Sequence, residues 1–307
     1  MELAIETDQL GKTFGGWRRR GVRAVDELTL AVPRGSVFGF LGPNGAGKTT
    51  TIMMLLGNVR PSRGTARLLG RPIGDARMRR RLGFLPERFQ FHDFLTAEEF
   101  LDLHGKLYGL DRATRRRRIT ETLELVGLAE RRKSRLRSFS KGMQQRIGLA
   151  QAILAEPELV ILDEPTSALD PLGRRLVREV ILGLKRQGCT VFLNSHLLSE
   201  IELTCDEVAI LRQGRVVAQG SVEVLTSQRD RVRLSVEALT DCVRAALAGL
   251  GQLTELESGE LEMLLADDRA AADVAAAVVR AGGRLTSLRP QRESLEDLFV
   301  RVVASES

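Results

Sequence analysis

The spacing of hydrophobic positions along the chain changes repeatedly between a strand-like and a helix-like period. Residues 36–41 form a short apolar run that ends in a glycine-rich turn and continues into an apolar helical stretch. Residues 159–162 form a second apolar run bounded by Pro157 and Asp163, as expected for a buried strand of a parallel sheet. Helical spacing recurs in residues 96–108, 112–126, 140–155 and 172–187. This alternation predicts an α/β fold with a mainly parallel sheet.

Shorter apolar segments add further strands to this prediction. Before residue 200 they are residues 4–6, 28–32, 64–69, 82–85 and 189–193. Beyond Gly220 the pattern changes, and the segments are residues 232–236, 239–250, 253–256, 261–265, 270–281, 284–288 and 295–303. Their order is β-α-β-β-α-β with a closing helix, which predicts a small α+β ferredoxin-like module. Thr96, Asp111 and Ser140 are the expected N-caps of three helices.

The composition is that of a globular chain with room for two domains. The chain has 307 residues, of which 43% are hydrophobic and 28% charged, and a domain usually holds roughly 100–200 residues. No run of about 18 uncharged apolar residues occurs, so we expect no membrane-spanning helix. The acidic, alternating N-terminus is unlike a signal peptide. The distant cysteines Cys189, Cys205 and Cys242 indicate a reduced cytosolic protein without a disulfide framework or zinc site.

Charge is unevenly distributed along the chain. The formal net charge is +6, but basic residues are in excess up to residue 221 and acidic residues are in excess after it. This asymmetry favours two domains with different surfaces. Basic residues cluster at 77–81 and 112–137. We interpret these clusters first as solvated helical faces, and leave nucleic acid, anionic lipid and an acidic protein open as alternative partners.

The most specific motif reads Gly42-Pro43-Asn44-Gly45-Ala46-Gly47-Lys48-Thr49. It matches G-x-x-x-x-G-K-S/T between a predicted strand and a predicted helix. Glycines let backbone N–H groups curl around phosphate oxygens, and the following helix adds the positive end of its dipole. Lys48 is expected to reach the β- and γ-phosphates, and Thr49 to bind Mg²⁺. We assign these residues and Thr50 to a site for ATP.

A second motif follows the apolar run at 159–162. Asp163 and Glu164 come directly after it, so a buried strand delivers two carboxylates at its C-terminal end. Asp163 is expected to hold Mg²⁺ through water, and Glu164 to polarise the attacking water as a general base. Such a pair is common at strand ends, and its position after Lys48 makes it more specific.

Three further motifs, in order with these two, resemble those of the ATP-binding cassette (ABC) ATPases. They are Phe139-Ser140-Lys141-Gly142-Met143-Gln144-Gln145-Arg146, similar to the signature, Ser167-Ala168-Leu169-Asp170, similar to the D-loop, and Ser195-His196, similar to the switch histidine. The resemblance covers about residues 1–225. It implies a P-loop ABC ATPase cassette with a RecA-like core, an antiparallel β-subdomain and a helical subdomain at about 91–137.

The resemblance also implies a head-to-tail dimer that sandwiches each ATP between the phosphate loop of one copy and the signature helix of the other. Ser140, Lys141 and Gly142 would then meet the partner copy's ATP. A serine at a helix N-terminus suits this task because its hydroxyl and the free N–H groups face an anion. Asp170 would communicate across the dimer. Without the resemblance, Ser140 is better explained as a plain N-cap.

Other roles follow from the same resemblance. His196 would bind the γ-phosphate and hold the arrangement of water and Glu164, so Glu164, His196 and Lys48 form the expected catalytic group. Phe14 lies where the family places an aromatic ring against adenine, and stacking would give little base specificity. Trp17 is a weaker candidate for that contact. The alternative for Phe14 is an edge-strand core residue.

The sequence departs from the family pattern at three positions. Lys141 and Met143 replace the usual glycine and glutamine of the signature, which is familiar among export-type cassettes. Glu87 stands where the family's Q-loop has glutamine, and Gln90 is out of register. Glutamate also binds Mg²⁺, but it adds negative charge near the γ-phosphate. We therefore count Thr49, Glu87 and Asp163 as expected Mg²⁺ ligands and expect an altered hydrolysis rate or metal dependence.

These observations predict a nucleotide-binding domain at residues 1–225 and an accessory α+β domain at 226–307. The segment from Glu293 to Phe299 resembles the end of ATPase subunits of ABC-2-type exporters. We therefore expect an ATP-hydrolysing subunit of an export-type ABC transporter. Two copies would act beneath separate polytopic ABC-2-type membrane subunits, on the cytoplasmic face of the membrane. The accessory domain is expected to serve dimerisation or regulation, or otherwise substrate recognition.

Two other functions stay open from the sequence. One is a non-transport ABC ATPase that acts on ribosomes or DNA, although such relatives usually carry two cassettes, a long coiled-coil insertion or zinc cysteines. None of these features appears in this sequence, so we expect no nucleic-acid partner. The other is a scaffold cassette with little turnover, which Glu87 suggests and which intact Lys48, Asp163, Glu164 and His196 oppose.

Overall fold

The computed structural model describes residues 2–15, 21–88, 91–237, 239–256, 260–266 and 271–304. The chain forms two compact units. One is Met1–Val222 together with Val302–Ser307, and the other is Glu223–Arg301. Each unit has a hydrophobic core of its own.

Strands and helices alternate in the first unit. Its strands are β1 (Leu3–Phe14), β2 (Val22–Pro33), β3 (Val37–Leu41), β4 (Arg63–Leu68), β5 (Arg71–Pro72), β6 (Leu82–Leu85), β7 (Leu159–Asp163), β8 (Thr190–Asn194), β9 (Glu207–Arg212) and β10 (Arg215–Ser221). Its α-helices are α1 (Lys48–Leu55), α2 (Ala97–Leu107), α3 (Arg112–Leu125), α4 (Lys141–Ile153), α5 (Pro171–Arg186) and α6 (Leu198–Thr204). Short 3₁₀ helices occupy Ala76–Arg80, Ala129–Arg131 and Leu136–Ser138.

The larger sheet of this unit has six strands in the order β10-β9-β3-β8-β7-β6. β3 runs parallel to β8 and β9, and β7 runs parallel to β6 and β8. β10 joins β9 in the antiparallel direction. Every residue of β3, β7 and β8 is buried, which explains their apolar sequences. The predicted α/β fold with a mainly parallel sheet is confirmed.

A smaller antiparallel sheet, in the order β2-β1-β4-β5, shares the same core. Ile5 and Leu10 of β1 lie in one buried cluster with Phe38, Phe40 and Phe192 of the larger sheet. The Phe38 and Phe192 rings stack with their centroids 5.9 Å apart. The glycine-rich turn begins directly after β3, so this packed core holds the strand from which the turn departs.

Side-chain caps begin the helices where the sequence predicts them. The Thr96 hydroxyl accepts from the Glu99 N–H, and the Glu99 carboxylate accepts from the Thr96 N–H, which completes a capping box for α2. The Asp111 carboxylate accepts from two N–H groups at the start of α3. The Ser140 hydroxyl accepts from the Met143 N–H at the start of α4. All three predicted N-caps are confirmed.

The arginine run Arg115–Arg118 on α3 is less solvated than four consecutive helical residues suggest. The side chain of Arg115 is 14% exposed and contacts Asp102 at 2.7 Å. The side chain of Arg118 is 11% exposed and donates to the Ile153 and Leu154 carbonyl oxygens. Those carbonyls lie at the end of α4, where the N–H groups of a further helical turn are missing, and the guanidinium is a donor to both. The expectation that most of this run is solvated is therefore wrong for two of its four members.

The second unit is an antiparallel sheet with helices over one apolar face. Its elements, with the short helix that precedes them, are α7 (Val222–Thr226), β11 (Ser227–Glu237), α8 (Asp241–Ala248), β12 (Gly251–Glu255), β13 (Leu261–Leu265), α9 (Ala271–Arg280), β14 (Arg284–Arg292) and α10 (Leu295–Ala304). The strand order is β12-β13-β11-β14. Its core combines residues of strands and helices, among them Leu234, Met263, Val243 and Val274. The predicted β-α-β-β-α-β order is confirmed.

Two expectations from composition also have structural outcomes. Within the described residues, no helix combines the length and the apolar character needed to cross a bilayer. Cys189 and Cys205 are buried, Cys242 is exposed, and all three thiols are free.

Candidate functional site

The glycine-rich turn between β3 and α1 depends on one close backbone approach. Gly47 has φ of +102°, a left-handed conformation that residues with a Cβ rarely adopt. A Cβ at this position would lie 2.4 Å from the Ala24 carbonyl oxygen. The Gly214 N–H donates to the Ala46 carbonyl oxygen at 2.9 Å. The turn is therefore fixed against β2 and the β9–β10 connection, and only glycine fits at position 47.

Lys48 begins α1 and folds its side chain over the turn. Its ammonium donates to the carbonyl oxygens of Gly42 at 2.5 Å and Pro43 at 3.2 Å. Burial lowers the pKa of this ammonium. Nearby carboxylates act in the opposite direction and raise the pKa of Lys48. The largest effect is that of Glu164, followed by Asp163 and then Glu87. The first turn of α1 also presents Thr49 and Thr50, of which Thr49 is exposed.

The carboxyl ends of β7 and β8 bring a polar group together. Asp163 pairs in register with Asn194, and the Asn194 amide donates to the Asp163 carboxylate at 2.5 Å. Glu164 follows with its carboxylate 2.7 Å from Nδ1 of His196. Burial raises the pKa of Asp163, and burial raises the pKa of Glu164 against the opposing effect of His196. The carboxylates therefore lie in a partly desolvated site next to a histidine.

A second group of predicted residues lies where α4 and α5 begin. A cavity of about 530 Å³ is lined by Ser140, Lys141, Gly142 and Asp170, among others. The Asp170 carboxylate caps α5 by accepting from the Gly173 N–H at 2.8 Å. A Cβ on Gly142 would lie 3.2 Å from a Leu169 methyl carbon. The structure thus places the signature and D-loop residues on one concave surface.

Phe14 and Glu87 are accessible. Phe14 ends β1 with 44% exposure, and the Lys12 ammonium lies 5.1 Å from its ring centroid. A core role for Phe14 is therefore excluded, and its ring is available for stacking. Glu87 follows β6, the strand beside β7, and is exposed. Trp17 and Gln90 lie outside the described residues.

Two residues that contact the expected catalytic and metal-binding side chains were not predicted from the sequence. Asn194 is a polar residue at the end of an apolar strand, and this position could have marked it. Gln145 donates from its side chain to the Glu164 carbonyl oxygen at 3.0 Å. Its place within the signature gave no signal of this contact, because the two residues are brought together only by the packing of α4.

A family model for ABC transporters matches residues 25–167. An ABC transporter ATP-binding protein of Synechocystis sp. is 44% identical over 97% of this chain and 84% of its own length. The chain belongs to the ABC transporter family. A daunorubicin/doxorubicin resistance ATP-binding protein of Streptomyces peucetius is 35% identical over 97% of this chain and 91% of its own length. The chain is thus similar along most of its length to ATP-binding subunits.

A solved structure of an ATP-binding subunit of an ABC transporter agrees with this assignment. Its TM-score is 0.65 and its identity 35%, over 72% of this chain and 91% of that structure. The cassette fold expected from the resemblance is confirmed, and so is membership among ATP-hydrolysing ABC subunits. Such subunits bind ATP, dimerise and work with membrane subunits.

The oxygen atoms beside β7 fit a magnesium ion. Mg²⁺ prefers carboxylate, hydroxyl and water oxygens and is commonly held by one or two protein groups plus phosphates. The described part of the chain holds no cluster of three or more His, Cys, Asp or Glu side chains suited to a metal, so phosphate and water oxygens would complete the ion's shell. Oδ1 of Asn194 is buried without a hydrogen-bond partner among the described residues. An unpaired acceptor next to Asp163 suits a water of the ion's hydration shell.

Proposed function

We propose that Lys48, Glu164 and His196 carry out ATP hydrolysis in this chain. The observation that supports this most is the contact of 2.7 Å between Glu164 and His196 at the edge of the parallel sheet. A carboxylate held there accepts a proton from a water that attacks the γ-phosphate. In its doubly protonated form His196 donates from Nδ1 to that carboxylate and from Nε2 to the phosphate, and Lys48 neutralises phosphate charge.

Nucleotide binding follows from the same geometry. Backbone N–H groups of residues 44–50 and the N-terminal end of α1 cradle the phosphates. Thr49 and Asp163 would hold Mg²⁺, with Glu87 as a third oxygen ligand, and the ion would supply positive charge to neutralise the phosphates. Phe14 stacks on adenine. Each of these roles is a proposal that the placement of the side chains supports.

We propose a head-to-tail dimer of two copies. The cavity that contains Ser140, Gly142 and Asp170 then receives the triphosphate bound to the phosphate loop of the other copy. Ser140 offers its hydroxyl and the N-terminal end of α4 to that anion, and Lys141 adds a positive charge that is exposed.

We further propose that the membrane partner is a polytopic ABC-2-type subunit and that transport is outward. The relative from Streptomyces peucetius is named for drug resistance, which supports export. Exposed Phe94, next to the start of α2 in the helical subdomain at about 91–137, is suited to contact that partner. The chain would then lie in the cytoplasm at the inner face of the membrane. Residues 1–225 form the nucleotide-binding domain in this proposal, and 226–307 the accessory domain.

The decisive experiment replaces the proposed base. We expect Glu164→Gln to lose ATP hydrolysis by about a hundredfold or more while it still binds MgATP, and to accumulate an ATP-bound dimer on size-exclusion chromatography. The matched control is Glu179→Gln, an exposed glutamate on α5, which should hydrolyse at the wild-type rate. A Glu164→Gln variant with wild-type turnover would show that Glu164 is not the base.

A second experiment tests the partner. The full chain should copurify from detergent-solubilised membranes with a polytopic protein, and ATP hydrolysis should respond to that protein. Recovery of ribosomes or DNA in its place would favour the non-transport alternative.

A further inference from the structure

The backbone of Glu164 is unusual for its residue type. Its φ is +55°, in the left-handed region that is unfavourable for a residue with a Cβ. Glycine, asparagine and aspartate are the residues that tolerate this conformation best. A glutamate therefore stays there only because its surroundings hold it.

Both polar groups of the Glu164 backbone are engaged. Its N–H donates to the Asn194 carbonyl oxygen at 2.9 Å. Its carbonyl oxygen accepts from the Gln145 amide at 3.0 Å, from the Ser167 hydroxyl at 3.2 Å and from the Ser167 N–H at 3.4 Å. Ser167 belongs to the same turn and moves with it. Gln145, by contrast, reaches Glu164 from a different element, α4.

The Gln145 contact is well placed to be strong. Gln145 is 8% exposed and Glu164 is 9% exposed, so water competes little for either partner. When the Gln145 amide is lost, the Glu164 carbonyl keeps its two Ser167 donors but loses the donor that comes from α4. A buried hydrogen bond stabilises the conformation in which it forms. The Gln145 contact therefore offsets part of the conformational strain at Glu164 and fixes its backbone relative to α4.

We propose that Gln145 is a positioning residue for hydrolysis. Its amide fixes the Glu164 peptide in the left-handed conformation and thereby holds the carboxylate against His196. Gln145 stands on α4, the helix that Ser140 begins, so it links this chain's own base to the helix that meets the other copy's ATP. The inference rests on the proposed role of Glu164 as the base.

The test compares two buried glutamines of α4 in the full-length chain. Gln145→Leu removes the amide but keeps an apolar side chain of similar size. We expect kcat to fall about tenfold to a hundredfold, as for a misplaced catalytic group, while the dissociation constant for MgATP changes less than about threefold. Because binding persists while turnover fails, the variant should accumulate an ATP-bound dimer.

The matched control is Gln151→Leu. Gln151 is 6% exposed and donates to the Tyr108 hydroxyl at 2.9 Å, so its replacement also removes one buried side-chain hydrogen bond from α4. We expect a similar loss in melting temperature for the two variants, but near wild-type kcat and no trapped dimer for Gln151→Leu. Equal losses of kcat in the two variants, or wild-type kcat in Gln145→Leu, would overturn the proposal.

Glu164→Gln separates this inference from the proposed function. If Glu164→Gln hydrolyses ATP at the wild-type rate, Glu164 is not the base, and the proposed role of Gln145 fails with it. If Glu164→Gln loses hydrolysis but Gln145→Leu hydrolyses ATP normally, Glu164 remains the proposed base and only the role of Gln145 is refuted.

Discussion

At the scale of single residues, the site keeps two carboxylates where solvent is partly excluded. Burial raises the pKa of both Asp163 and Glu164 above their ordinary values. For Glu164 the ordinary value is 4.5. The folded state therefore holds the Glu164 proton more tightly than the unfolded state does. Between 4.5 and the raised pKa, stability falls as the pH rises, and at neutral pH the charged carboxylate destabilises the fold.

Loss of the Glu164 charge should therefore stabilise the protein. Without nucleotide at pH 7.5, Glu164→Gln should raise the free energy of unfolding by on the order of 1 kcal/mol. The gain should shrink as the pH falls towards 4.5, where the wild-type carboxyl is itself protonated. Thermal unfolding across this pH range measures the difference. A variant that is less stable than wild type at neutral pH would contradict the burial argument.

At the scale of elements, the sequence predicted most of what positions the site. β6 and β13 have the predicted bounds, and β3, β7 and β8 differ by one residue at one or both ends. The strands β3, β7 and β8 were predictable because buried parallel strands are largely apolar, and β13 because its residues alternate in burial. The helix α6 and strands β9 and β10 were not predicted. β10 alternates between exposed and half-buried residues, and its hydrophobic pattern is accordingly weak.

The contacts within the site were less predictable than the elements. Glycine spacing revealed the turn around Lys48, and the motif order pointed to His196. The left-handed backbone of Glu164 and the amide of Gln145 depend on how α4 packs beside β7, which no local pattern encodes. The inward arginines of α3 were missed for the same reason, because their partners lie on α2 and α4.

The N-caps of α3 and α4 allow structural and functional roles to be separated. Asp111→Ala and Ser140→Ala each remove a side-chain cap, and we expect each to lower the free energy of unfolding by about 1 kcal/mol. Ser140 also lines the cavity proposed to receive the other copy's ATP. Ser140→Ala alone should therefore weaken the ATP-dependent dimer, measured in the Glu164→Gln background by size-exclusion chromatography. Equal dimer loss in Asp111→Ala would instead indicate a general loss of stability.

At the scale of the whole molecule, the uneven charge matches two units with separate cores. The cassette core gathers apolar residues of both its sheets, and the core of the second unit is built from β11, β13, α8 and α9. No core residue is shared between these two clusters. The sequence change after Gly220 falls close to the division at Val222 and Glu223.

Because the two units have separate cores, we expect that a cavity created in the core of the second unit leaves ATP hydrolysis by the first unit unchanged. Met263 is fully buried in the second unit, and Met263→Ala should destabilise that unit by about 2–5 kcal/mol. Calorimetry should show one transition move to lower temperature, with kcat for ATP hydrolysis near that of wild type. Loss of hydrolysis together with a shift of all unfolding transitions would show that the units fold as one.

The left-handed conformation of Glu164 also bears on how such a chain can change over generations. Aspartate, asparagine and glycine relieve the backbone strain there, and none of them places a carboxylate where glutamate does. Substitution by one of them would therefore favour the backbone and, under the proposed role of Glu164 as the base, cost hydrolysis. Stability and turnover would then favour different residues at this one position.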